Sequence, residues 1–292
     1  MKNYKALQIL DVAKVKELVD ETRKKMGVYA DFPIGNDLQQ LLEREKIIIC
    51  EYPFEVSTQS HTDATITIFD TSYGELTFIG LNSSLYYDEQ IFALAHEYYH
   101  YLTRTGKAYQ PSEEEEDLII EQKADRFAAE LLLPLSALSD RVQKIFNDKK
   151  IANETPKLKI LRFIAALQIE WWLTYRSIVL RMYEEELISK TLFDDLFEID
   201  CRDESGEYSK ILRNLNSNIY TLLNSKSENI KISKQAIMAT LSNFEDGDIS
   251  EDDFVETLKI FGKTPSDFGY NIIIDDDEDF DVLFKGGSID ES

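Results

Sequence analysis

Apolar residues recur along the chain at two different periods, and the changes of period mark out the elements. Val12, Val15, Leu18 and Val19 fall at helical spacing, which predicts a helix over 11–26 with Asp11 as its cap and Gly27 as its stop. Pro33 and Gly35 break the chain, and Asn36 can cap a second helix through 37–45. The run Lys46-Ile-Ile-Ile-Cys-Glu-Tyr is rich in β-branched residues and reads as a strand ended by Pro53. After a polar loop at 57–63, two more strands are expected at 64–69 and 75–82, joined by the turn Asp70-Thr-Ser-Tyr-Gly. Asn82-Ser-Ser then leads into a helix over about 88–104, with Gly106 as its stop.

The second half is helical by pattern. Ser112 before the acidic run Glu113-Glu-Glu-Glu-Asp is a good helix start, and the helix it opens should run to Pro134. Further helices are expected at 136–150, 157–168, 174–190, 208–224, 233–244 and 250–262. The fold class is α+β: a small sheet packed with helices, then a helix-turn-helix-like segment and a helical extension. Four parts follow, at 1–140, 141–200, 201–274 and 275–292. The last, beginning Asp275-Asp-Asp-Glu-Asp, is too charged and too rich in glycine to pack. There is no internal repeat and no phosphate-binding glycine loop.

Composition narrows the functional classes. The chain is 43% hydrophobic, which is ample for a core, and its formal charge is −23. Affinity for phosphates comes from clustered Lys and Arg, so direct nucleic-acid binding is not expected, even though 141–181 is locally basic. Protein partners fit better. Cys50 and Cys201 are too few and too far apart for a disulfide framework or a cysteine metal knot. No stretch is long and apolar enough to span a membrane and no leader is evident, so a cytoplasmic protein is expected.

The strongest chemical signal is His96-Glu97-Tyr98-Tyr99-His100, the pattern H-E-x-x-H. On a helix, residues four apart share a face, so both imidazoles would point at one metal ion. Glu97 would sit beside the first of them, placed to take a proton from a water at the metal. Two histidines do not complete a catalytic zinc site, which commonly has three protein ligands. No histidine follows His100, and the only other one, His61, lies in the polar loop upstream. The third ligand is therefore most economically a carboxylate from a later helix. Glu121 fits best, sharing a face with Ala124, Asp125 and Ala128; the small alanines permit close approach. Asp125 could accept a hydrogen bond from a ligand histidine and fix its tautomer. Glu113 to Glu116 and Glu130 fit less well. Tyr98, Tyr99, Tyr101 and Tyr109 are near enough to serve an oxyanion, and the sequence does not choose among them.

Phe92-Ala-Leu-Ala-His-Glu-Tyr-Tyr-His-Tyr-Leu, followed by Glu121-Gln-Lys-Ala-Asp-Arg-Phe-Ala-Ala-Glu-Leu-Leu-Leu-Pro, resembles the ImmA/IrrE family of bacterial metallopeptidases. The likeness spans roughly 10–190, and the part around Tyr175-Arg-Ser-Ile-Val-Leu-Arg-Met-Tyr is similar to that family's helix-turn-helix-like part. It implies zinc ligands at His96, His100 and Glu121, a catalytic glutamate at Glu97, and a limited cut in a partner. That partner is expected to be a DNA-binding repressor or another regulator from a neighbouring gene, in a mobile-element, stress or defence context. Two positions depart from the family: Asp125 stands where Asn is usual, and Asp88-Glu89 where a basic residue is often found, which bears on substrate recognition. The competing expectation is a non-proteolytic, regulatory or antitoxin-like binding protein with a structural or vestigial zinc site.

Overall fold

Helix α1 (Ile9–Lys25) buries Val15, Val19, Thr22 and Arg23, one stripe at spacings of four, three and one. The computed structural model describes residues 9–54, 63–71, 74–105, 114–227 and 230–272. They form two compact units, residues 1–233 and residues 234–292. Asp11 does not cap α1: it lies within the first turn and pairs with Lys123 at 2.8 Å. Gly35 is required by close approach, because a Cβ there would stand 2.7 Å from the Cβ of Trp172. Helix α2 (Leu38–Arg44) has Asp37, not Asn36, at its N-cap.

The sheet has strand order β2-β3-β1-β4. Strands β2 (Ala64–Thr71) and β3 (Gly74–Asn82) pair antiparallel, and β1 (Ile47–Tyr52) lies parallel to β3. The fourth strand, β4 (Lys231–Ile232), is two residues from the far end of this unit, antiparallel to β1. Such a fragment carries no readable period. Helices α3 (Tyr87–Thr103) and α4 (Glu114–Leu132) pack on each other, and α3 also lies on β2 and β3. Helix α1 closes the other side of α4.

Two buried arginines tie down the end of α4. Arg23 donates to the Leu131 carbonyl at 2.6 Å, and Arg181 to the Leu133 carbonyl at 2.9 Å. Arg181 also pairs with Glu130, which accepts from the Leu135 amide. Carbonyls at a helix end have no partner within the helix, and buried ones must find one elsewhere.

Helices α5 (Leu135–Phe146), α6 (Lys157–Trp171), α7 (Tyr175–Glu184) and α8 (Lys190–Phe197) follow. The helix expected over 136–150 stops at Phe146, with Asn147 left-handed. The one expected over 174–190 breaks, with Glu186 left-handed and the amides of Leu187 and Ile188 turned back to the Met182 carbonyl. The helix expected over 208–224 is α9 (Glu207–Leu215) and α10 (Ser217–Leu223), because the Asn216 side chain caps the second by accepting from the Ile219 amide. Four of the nine basic residues at 141–181 pair with carboxylates: Arg141 with Glu170, Lys144 with Asp140, Lys150 with Glu186 and Arg181 with Glu130.

In the second unit, α11 (Lys234–Glu245) packs on α12 (Glu251–Ile260) around Phe244, Phe254 and Tyr270, with the first two rings 4.1 Å apart. The acidic end expected at 275–292 lies outside the described residues, as do Ser112 and the 57–62 part of the polar loop. Among the described residues no helix is long and apolar enough to cross a membrane.

Candidate metal centre of an IrrE-like domain

Helix α3 is buried along most of its length, including Ile91, Ala93, Leu94, Ala95, Tyr98 and Tyr99. It is therefore a rigid carrier for the two histidines. Ala124 and Ala128 of α4 are fully buried, and their small side chains let α4 approach. That brings Glu121 and Asp125 over His96, as the shared face predicts. His96 Nε2 lies 3.1 Å from Glu121 Oε2 and 3.2 Å from His100 Nε2, and His100 Nε2 lies 3.5 Å from Glu121 Oε1.

These distances test whether a metal fits. A tetrahedral ion bonded at about 2.0–2.1 Å keeps its ligand atoms about 3.3–3.4 Å apart. The two imidazole nitrogens stand near that spacing, Glu121 turns one oxygen to each of them, and one ligand atom from each of the three residues lies within 4.8 Å of the other two. Among the described residues, His96, His100 and Glu121 form the group able to hold a metal ion. Two imidazoles and one carboxylate suit a borderline divalent ion.

His96 Nδ1 stands 2.9 Å from Asp125 Oδ1, so its Nδ1–H donates there and Nε2 faces the centre. Burial pushes the His96 pKa down, but the bonds to Asp125 and Glu121 outweigh it and hold the ring up to about 10. His100 is pushed the other way, by burial and then by the charge of His96.

Glu97 is 9% exposed. Burial raises its pKa to about 7; His96 opposes this, Glu121 adds to it, and the Ile66 backbone N–H bonds the carboxylate. The pairing explains that last contact. Asn82 donates to the Asp63 carbonyl, so Asp63 and Asn82 are a hydrogen-bonded pair and the pairing alternates along β2. Ile66 then points its N–H away from β3, at the outer edge of the sheet.

The other expected site residues are placed as follows. Glu130 is buried against Arg181 and is not at the centre. Glu113, His61, Tyr109 and Gly106 lie outside the described residues, as do the side chains of Glu114 to Glu116. Helix α3 ends without a glycine, at left-handed Arg104. Tyr98 and Tyr99 are buried and pack on Phe127, while Tyr101 stacks on Tyr98 under Arg104.

Asp88 is fully buried, which replaces the expected bearing on substrate with a structural one. It accepts from Arg202 at 2.5 Å and from Gln168 at 2.8 Å, and Gln168 accepts from Tyr208 at 2.6 Å. Glu89 caps the helix start through the Tyr86 amide. Gln168 and Arg202 lie 80 and 114 positions from Asp88 in sequence, so these contacts left no local signal.

Residues 42–159 match the family model of a peptidase domain described as the IrrE N-terminal-like domain. The chain carries an IrrE-like peptidase domain. The match runs from within α2 to the start of α6 and takes in His96, Glu97, His100, Glu121 and Asp125, and it bears out the resemblance read from the two motifs. No curated protein matches the chain. An IrrE-like peptidase domain acts on a protein substrate, and Arg202, Tyr208 and β4 lie beyond its matched span.

Proposed function

We propose that this protein is a zinc-dependent endopeptidase that makes a limited, specific cut in a partner protein. His96, His100 and Glu121 would hold the zinc, Asp125 would orient His96, and Glu97 would be the acid–base group. The observation that carries the reading is the cluster of His96, His100 and Glu121, with one ligand atom of each within 4.8 Å of the others, and a buried glutamate beside it. A structural zinc needs no such base. When bound, zinc supplies a Lewis acid for the scissile carbonyl and lowers the pKa of water.

Glu97 takes one proton from the attacking water as the new C–O bond forms. It gives that proton to the departing amine nitrogen as the C–N bond breaks. A carboxyl whose pKa burial raises above its ordinary range can both take and return the proton. The outer edge of β2 runs past Glu97, where an extended segment can add as a strand. On the family resemblance, the substrate is a DNA-binding repressor or other regulator encoded nearby.

The test combines zinc quantification with incubation of the neighbouring gene's product, for wild type and Glu97→Gln. Both should hold one zinc per chain, and only wild type should cut. A zinc-loaded wild type that leaves the neighbours intact would favour the non-proteolytic, antitoxin-like reading instead.

A further inference from the structure

Helix α3 does not simply stop after its second histidine. Its C-cap, Arg104, turns left-handed at φ 55°, ψ 41° and donates to the His100 carbonyl. The turn carries Thr105 back beside the His100 ring. Thr105 Oγ1 lies 3.4 Å from His100 Nδ1 and 2.7 Å from Thr103 Oγ1. Thr103 Oγ1 in turn donates to the Tyr99 carbonyl at 2.8 Å.

A hydroxyl has one proton. That of Thr103 is committed to the Tyr99 carbonyl, so in the contact between the two hydroxyls Thr105 is the donor. Its oxygen then presents only lone pairs to His100. The ring atom facing it must carry a proton, and the Thr105 backbone bonds the same ring. His100 is buried, so bulk water does not compete to set the tautomer.

We infer that Thr105, oriented by Thr103, is a positioning residue that holds His100 with its proton on Nδ1 and its Nε2 lone pair facing Glu121 and His96. It is the neutral counterpart of Asp125 on His96. Asp125 both orients its histidine and feeds it negative charge; Thr105 orients alone. The inference rests on the metal reading of the proposed function, but its direct observable does not need the metal.

The experiment uses the full chain with Thr105→Val, Thr105→Ser and Thr103→Val. Imidazole nitrogen chemical shifts report the His100 tautomer in metal-free protein, and competition against a chelator gives zinc affinity. Wild type and Thr105→Ser should show the Nδ1–H form. Thr105→Val should mix the two tautomers and bind zinc about tenfold more weakly, at the low end of the range for outer partners of a ligand because the backbone contact survives. Thr103→Val frees the Thr105 proton to turn towards His100, so it should also mix the tautomers although Thr105 is intact. A purely structural Thr105 would not respond in that way. Thr105→Val with the wild-type tautomer and affinity, or Thr105→Ser as impaired as Thr105→Val, would overturn the inference. A wild type that binds no zinc would instead sink the metal reading, leaving the tautomer result to judge the relay.

Discussion

Asp88→Asn separates two forces that act on the first turn of α3, the helix that carries the two histidines. Burial pushes the Asp88 pKa up to about 6 from the usual 3.8, although Arg202 pulls against it. The folded chain therefore keeps a proton, in the window from about pH 4 to 6, that the unfolded chain releases. For a carboxyl raised in this way, stability is greatest at the acid end and is lost as pH rises through 6. Two units at 1.36 kcal/mol each give a total of about 3 kcal/mol, with about 1–2 kcal/mol of it falling between pH 5 and 7.5. Asparagine cannot ionise, so its stability lacks this component.

The substitution carries a second, constant effect. The Asn amide would meet the Gln168 amide as donor against donor, unless Gln168 flips and leaves the Tyr208 hydroxyl without an acceptor. A buried group left unpaired costs about 1–3 kcal/mol at every pH. Urea unfolding of both chains at pH 5, 6 and 7.5 tells the two apart, because other titrating groups cancel in the difference. The wild-type advantage should shrink by about 1–2 kcal/mol from pH 5 to 7.5. A constant advantage, or one that grows with pH, would refute the reasoning. It would mean that Arg202, Gln168 and the Glu89 amide keep Asp88 ionised throughout.

Two further outcomes follow from the same geometry. Glu121→Ala removes one of the three donors and should cost at least a hundredfold in zinc affinity, well beyond the about 10–100-fold typical of an outer partner; chelator competition reads it, and retained affinity would exclude Glu121 as a ligand. Arg181→Met strands the buried Glu130 carboxylate and the Leu133 carbonyl, at about 3–5 kcal/mol by urea unfolding. Adding Glu130→Gln, which keeps an acceptor for the Leu135 amide, should recover part of that loss, and no recovery would show that the stranded charge is not the cause.

What could be read from the sequence follows the range of the interactions. His96 and His100 face one centre because helical spacing alone demands it. Glu121 and Asp125 required one more step, a count of histidines and a search for a small-residue face, and the structure brings both to His96. Element types were legible for the same reason. Breaks at Glu186 and Asn216 were not, because apolar residues keep helical spacing through a tight turn between two helices as well as through one helix. Only the backbone bonds to the Met182 carbonyl and the Asn216 cap distinguish the two cases.

The groups that orient and brace the site lie beyond the reach of periodicity. Thr105 reaches His100 only because a non-glycine residue, Arg104, is left-handed, a conformation that sequence rarely announces. Arg202 meets Asp88 across 114 positions, and its role depends on both being buried. Donor identity is thus a local property of α3 and α4, whereas donor orientation is a property of the fold. A variant of this chain that keeps H-E-x-x-H and Glu121 should therefore still show a changed His100 tautomer through Thr105, or a changed stability through Asp88. Variants at those two positions report on orientation and bracing, which variants of the ligands themselves cannot separate from loss of a donor.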